Sequence, residues 1–195
     1  MKTRDPIDLL THKRFDVVIK YLYASNLSSV YFKYAYKEHI RVWNNFYEGY
    51  PRKNCFEDFD NSFKSILNTT VDNPVPVNSE GHIANGSHRL AAALYHQRPI
   101  NTRDTDSSEN YQIECDYNFF AKRGLPKHIL KRTAVEYAKL KPNTHVICLF
   151  PIAHTRIDEV MNIIEKYSNI FYHSTETLNH RGQLGLMKEI YLKDG

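Results

Sequence analysis

Between residues 75 and 100 the chain reads VPVNSEGHIANGSHRLAAALYHQRPI, and the run Asn85-Gly86-Ser87-His88-Arg89 gathers the residue types that could do chemistry together. The first N–H groups of a helix have no internal partner, and with the helix dipole they form a seat for phosphate or another anion. Gly86 allows backbone to approach a ligand closely, and Asn85 or Ser87 can cap the helix that follows. His88 adds a group that exchanges protons near neutral pH, and Arg89 adds a forked cation. A capped helix needs only one Ser or Asn. The gathering of Gly, Ser, His and Arg ahead of Leu90-Ala91-Ala92-Ala93-Leu94 argues for a ligand site at this turn.

The elements that must position the turn are readable around it. Val75 and Val77 fall on one face of a short strand, which Pro74 and Pro76 confine to an edge or a strand start because proline cannot donate to a ladder. Residues 79–81 read as a turn, His82-Ile83-Ala84 as a brief return strand, and the alanine-rich run as a helix. Upstream, residues 8–24 are amphipathic, with Phe15, Val18, Ile19 and Leu22 inward and Lys13, Arg14 and Lys20 outside. A second helix is expected over 30–43, with Tyr31, Tyr34, Ala35 and Trp43 on its apolar side and Ser28 or Ser29 as cap. A third begins at Glu57-Asp58-Phe59-Asp60 and carries Phe59, Phe63, Ile66 and Leu67.

The order of helix, P-x-P-V strand, hairpin and N-G-S-H-R-L-A-A-A-L resembles the ParB and sulfiredoxin superfamily, in which a G-x-H-R or G-x-R-R turn opens the nucleotide-binding helix. Phe63-Lys64-Ser65-Ile66 is similar to the family's helix ending in a Ser-Ile or Thr-Ile pair, and the resemblance spans residues 56–100. Sulfiredoxins place their attacking cysteine where this chain has Ser87, so repair of cysteine sulfinic acid is not expected. ParB proteins read a second arginine where His88 stands. The branch resembling the free serine kinases keeps the G-x-H-R form, and it fits best.

That resemblance implies a phosphotransferase that uses ATP or ADP on a hydroxyl group of a small metabolite such as an amino acid, a sugar or a polyol. Mg²⁺ would be held by phosphate oxygens and water rather than by a protein cage. Asn85, Gly86, Ser87, His88 and Arg89 would hold the nucleotide, with Lys64 and Ser65 facing it from the preceding helix. His88 and Arg89 would also stabilise the charge that develops during transfer. Glu57, then Asp58, then Glu48 are the candidates for the base that takes the acceptor proton; ordinary dipole partners in a first helical turn look the same in sequence. The other class the motif allows is a nucleotide-gated module that binds DNA or a protein in the manner of ParB.

The rest of the chain narrows these classes. A net charge of +4 without a basic run gives no concentrated face for nucleic acid, and no stretch approaches the apolar length of a membrane span. Cys55, Cys115 and Cys148 lie far apart, which suits buried thiols in a reducing cytoplasm. None of the 10 His residues sits in H-E-x-x-H spacing, so no protein-held metal is expected. Residues 101–110 read as a polar loop, 111–115 as a possible sheet-closing strand and 127–140 as a helix. Beyond Pro142, strands at 145–150 and 170–173 alternate with helices at 157–167, with Ile157, Val160, Ile163 and Ile164 inward, and at 182–192. The expected fold is α/β (α+β), with a small mixed sheet in a ParB/sulfiredoxin-like core. Its divisions are a helical flank at 1–48, a core at 49–141 and a strand-helix-strand-helix extension or second small domain at 142–195.

Overall fold

The computed structural model describes residues 1–46, 56–69, 73–105, 114–147, 156–167 and 170. The chain divides into two compact units, Met1–Lys141 and Pro142–Gly195. Among the described residues it is a mixed α/β protein with eight helices and one three-stranded mixed sheet. No helix among them is long and apolar enough to cross a membrane.

In the first unit the sheet runs in the order β1 (Lys2–Arg4), β3 (Ile100–Asp104), β2 (Val75–Val77). β1 pairs antiparallel with β3, Thr3 opposite Asn101, and β2 pairs parallel with it, Val75 opposite Thr102. The sheet order puts β2 at an edge, where the missing N–H of Pro76 costs nothing. Its outer side takes the returning hairpin instead: Val77 bridges Ile83, and Ala84 N donates to Pro76 O at 3.0 Å. Residues 101–104 are therefore strand rather than loop. Polar as they are, they alternate, and the buried Thr102 hydroxyl donates to Lys2 O.

Helix α2 (Phe15–Ser25) follows the short α1 (Pro6–Leu9) and packs against α3 (Val30–Phe46), α5 (Ser87–His96) and α7 (Lys127–Leu140). It is thus the central helix of this unit rather than a flank. Phe15, Val17, Val18, Ile19, Leu22 and Tyr23 are all buried, and Lys20, expected outside, is 4% exposed. A helix covered on every side has no solvent face to offer a lysine. Lys20 instead donates to Asp16 Oδ2 at 2.9 Å, one turn earlier, and Arg14 holds the same carboxylate with two bonds of 2.9 Å.

α3 turns only part of the expected side inward. Ala35, Tyr36, His39, Ile40 and Val42 are buried, whereas Tyr31 and Tyr34 are exposed. Tyr23 and Tyr36 stack at 4.8 Å, and Phe63 of α4 (Phe56–Asn68) lies against both. α6 (Tyr117–Lys122) is capped by Asp116, which accepts from Phe119 N at 2.7 Å. Residues 127–140 are helical as expected. Cys115 is buried and makes one bridge, with Arg14, where a strand was expected over 111–115; residues 111–113 lie outside the described set.

In the second unit α8 (Ile157–Glu165) is present, but Ile157 and Ile163 are exposed rather than inward. Residues 145–147 have no regular structure in place of the strand expected there. Residues 148–150 of that strand, residues 171–173 of the strand expected over 170–173 and the whole helix expected over 182–192 lie outside the described residues.

The Arg14–Asp16–Lys20 cluster carries an asymmetric prediction. Asp16→Ala leaves the buried Arg14 guanidinium, with the Lys20 amine beside it, without a counter-charge and is expected to cost about 3–5 kcal/mol. Lys20→Met leaves a neutral Arg14–Asp16 pair and is expected to change stability by about 1 kcal/mol or less. Urea unfolding midpoints of the two variants check this difference.

Candidate functional site

The turn before α5 is built by Gly86, whose φ of 95° lies in the left-handed region that a side chain disfavours. A methyl group there would come within 2.9 Å of Arg89 Nη2 and 3.1 Å of Val75 Cγ2. A side chain there would be strained by the left-handed backbone and would displace the Arg89 guanidinium that lies over the turn. No side chain caps the helix. Asn85 Oδ1 accepts from Gly86 N, and Ser87 makes a different contact, so neither is the cap its type suggested.

Successive residues of an α-helix are splayed by about 100° around the axis, and the first turn of α5 uses that splay to reach three neighbours. Ser87 turns to α2, where its Oγ meets Lys20 Nζ at 2.8 Å. His88 turns to α3 and α4: its Nε2 is 2.7 Å from Tyr36 Oη, and its ring packs against Phe63 at 4.9 Å and Phe59 at 6.2 Å. Arg89 turns back along β2, donating from Nη1 to Asn73 O at 2.8 Å and Pro74 O at 3.0 Å. Half-burial, then the nearby Arg103, lowers the Arg89 pKa; a guanidinium stays charged nonetheless.

The sequence-level assignments divide accordingly. Gly86, Ser87, His88 and Arg89 stand together, with Asn85 exposed beside them. Arg89 clamps the approach to β2 as well as lying at the turn. Glu57 and Asp58 are exposed in the first turn of α4, the helix whose Phe59 and Phe63 meet His88. Lys64 is paired with Asp60 at 2.8 Å, and Ser65 is exposed. Glu48 lies outside the described residues. Among the described residues no group of three or more His, Cys, Asp or Glu is placed to hold a metal ion.

Behind the turn lie two polar networks that sequence reasoning missed. In the first, burial works to raise the Asp16 pKa, but Arg14 and then Lys20 outweigh it and hold the carboxyl well below its ordinary range. Burial lowers the Lys20 pKa, opposed by Asp16, and pushes the Cys115 thiol up to about 12, which keeps it protonated and inert. Arg14 Nη1 also reaches Ile83 O at 2.7 Å, fixing the hairpin that leads into the turn. The missed signal is the character of residues 15–24, FDVVIKYLYA, which is apolar all round. An i, i+4 Asp-Lys pair inside such a helix has to be buried and paired.

The second network joins Tyr23 Oη to Asp60 Oδ1 at 2.6 Å and Asp60 to Lys64, beside the Tyr36–His88 contact. Burial, with Asp60 next, raises the pKa of both Tyr23 and Tyr36, so each keeps its hydroxyl proton. Where Tyr36 donates to Nε2, the neutral His88 ring carries its own proton on Nδ1. A cleft of about 500 Å³ at the ends of β2 and β3, lined by Lys2, Arg4, Asn78, Glu80, Asp104 and Thr105 among others, contains none of the turn residues.

His39 is 1% exposed, between Tyr36 and Phe120, and neither ring nitrogen has a hydrogen-bond partner. Burial, then Lys20, holds its pKa well below 6.5, with Asp16 pulling the other way. The unfolded chain therefore takes up a proton that the folded chain refuses. Stability from this group is complete above about pH 6.5 and is lost as pH falls, by about 1.4 kcal/mol per unit until the folded pKa is reached. Asp16 adds loss of the same sign below about pH 4. His39→Phe removes the unpaired nitrogens and is expected to raise the melting temperature at pH 7 and flatten its fall toward pH 5; calorimetric melting at both pH values checks this.

No family model, curated protein or solved structure matches the chain, and its function is therefore read from the turn at residues 85–89 and the side chains around it.

Proposed function

We propose that this protein is a nucleotide-dependent phosphotransferase in which the 85–89 turn binds the phosphates of ATP or ADP. The acceptor is a hydroxyl group of a small metabolite such as an amino acid, a sugar or a polyol. The observation that carries this reading is the Gly86 turn itself: left-handed backbone, no side-chain cap on α5, and a guanidinium folded closely over the glycine. Such a turn offers first-turn N–H groups and a nearby fixed cation to a phosphate.

In this mechanism the N–H groups of α5 and Arg89 neutralise charge on the transferring phosphoryl group. Mg²⁺, carried on the nucleotide, would share that work. His88, held by Tyr36, presents its ring at the same turn. Glu57 or Asp58, exposed at the start of the α4 helix that packs on α5, takes the acceptor proton.

Titration calorimetry of ATP and ADP, with and without Mg²⁺, tests the reading on wild type, His88→Ala and Arg89→Ala. Micromolar binding is expected for wild type and loss of binding for both variants. Arg89→Ala also surrenders two bonds from a charged donor, so its melting temperature is expected to fall by an amount corresponding to about 1–3 kcal/mol. A wild-type chain that binds neither nucleotide removes the phosphotransferase assignment.

A further inference from the structure

Ser87 Oγ lies 2.8 Å from Lys20 Nζ, a hydroxyl at the start of one helix against an amine on another that is almost wholly removed from water. The charges around Lys20 do not balance. Arg14 and Asp16 already form a two-pronged pair, with Nε on Oδ1 and Nη2 on Oδ2, both at 2.9 Å. That pair is neutral, and arginine does not give up its proton. The other groups that feel the Lys20 site are the buried His39 of α3, held neutral, and the protonated Cys115 thiol before α6, while the buried carboxylate of α7, Glu136, lies against Lys139 at 3.9 Å. A charged Lys20 would leave one positive charge in excess in a buried site. The group able to relieve that excess is Lys20 itself.

We infer that Ser87 is a nucleophile and Lys20 the base that takes its proton, a dyad that accepts a phosphoryl group covalently. A neutral Lys20 amine still donates one hydrogen to Asp16 Oδ2 and turns its lone pair to the Ser87 hydroxyl. Serine–lysine pairs are an established way of activating a serine without histidine. Burial also lowers the Lys20 pKa, in the direction this role requires.

The inference deepens the phosphotransferase reading and rests on it only for the source of the phosphoryl group. Ser87 Oγ bonds to the terminal phosphorus of a nucleotide while the bond from that phosphorus to its bridging oxygen breaks. The electron pair leaves with the shortened nucleotide, and the hydroxyl proton passes to Lys20. In the second displacement the acceptor oxygen bonds to the phosphorus and the Ser87 Oγ–phosphorus bond breaks. Glu57 or Asp58 takes the acceptor proton, and Lys20 returns its proton to Ser87.

An alkyl fluorophosphonate, which contains no nucleotide, tests the dyad on the full chain at pH 7 and pH 9, with peptide mass mapping of the adduct. Labelling of Ser87 is expected, with none in Ser87→Ala. Lys20→Arg keeps a donor to Asp16 but is permanently charged and cannot take up a proton, and its labelling rate is expected to fall by about a hundredfold or more. Lys20→Met makes the same comparison should the arginine prevent folding. Absence of a Ser87 adduct, or labelling undiminished in a folded Lys20 variant, overturns the dyad. Nucleotide binding by calorimetry without an adduct removes the dyad and leaves the phosphotransferase reading; an adduct without nucleotide binding does the reverse.

Discussion

The buried Arg14–Asp16–Lys20 cluster is the constraint on which the arrangement of the first unit depends. Asp16 sits on the central helix and is reached by both basic side chains, and each of these has a second partner elsewhere: Ile83 O for Arg14 and Ser87 Oγ for Lys20. The backbone of Phe15 adds a bond to Cys115 O at 2.8 Å. One helix end thereby fixes the hairpin after β2, the first residue of α5 and the chain leading into α6. Charges withdrawn from water are costly unless their geometry and hydrogen bonding are complete. That requirement gives these three segments little freedom to move independently.

The aromatic layer on the other side of α5 works by packing rather than charge. Tyr23, Tyr36 and Phe63 form one cluster, and His88 adds its ring to it, oriented by the Tyr36 hydroxyl. The polar ends of the two tyrosines are satisfied at the cluster's edge, by Asp60 and His88. Buried tyrosines of this kind combine large apolar area with a directed hydrogen bond. The first turn of α5 is thus held from two sides by different physics, an ionic network through Ser87 and a stacked aromatic layer through His88. Arg89 supplies a third hold on the approach to β2.

Local signals that depend on neighbouring residues were legible in the sequence. α7 spans the residues its pattern gives, and the turn at 79–81 forms as Asn78 Oδ1 accepts from Glu80 N and His82 N. α5 ends where Gln97 takes a left-handed conformation before Pro99. Less legible were elements whose identity depends on distant partners. β1 is three polar residues that become strand only by pairing with β3, and residues 101–104 become strand by the same pairing. Lys20 illustrates the difficulty best. Helical periodicity assigns a lysine to the outer face, but periodicity assumes that an outer face exists.

By itself, the sequence determined the short strand interrupted by proline, the glycine turn and the alanine-rich helix, because backbone preference and apolar spacing act within a few residues. It also determined which residue types would gather at that turn. The tertiary structure decided which way each of them faces. Ser87, His88 and Arg89 are adjacent in the chain, yet they meet Lys20, Tyr36 and Asn73, residues 67, 52 and 16 positions away. Such partners are chosen by the burial of α2 and by the need to satisfy every charge and hydroxyl it carries inward, a condition imposed by the whole packed unit rather than by any local stretch of chain.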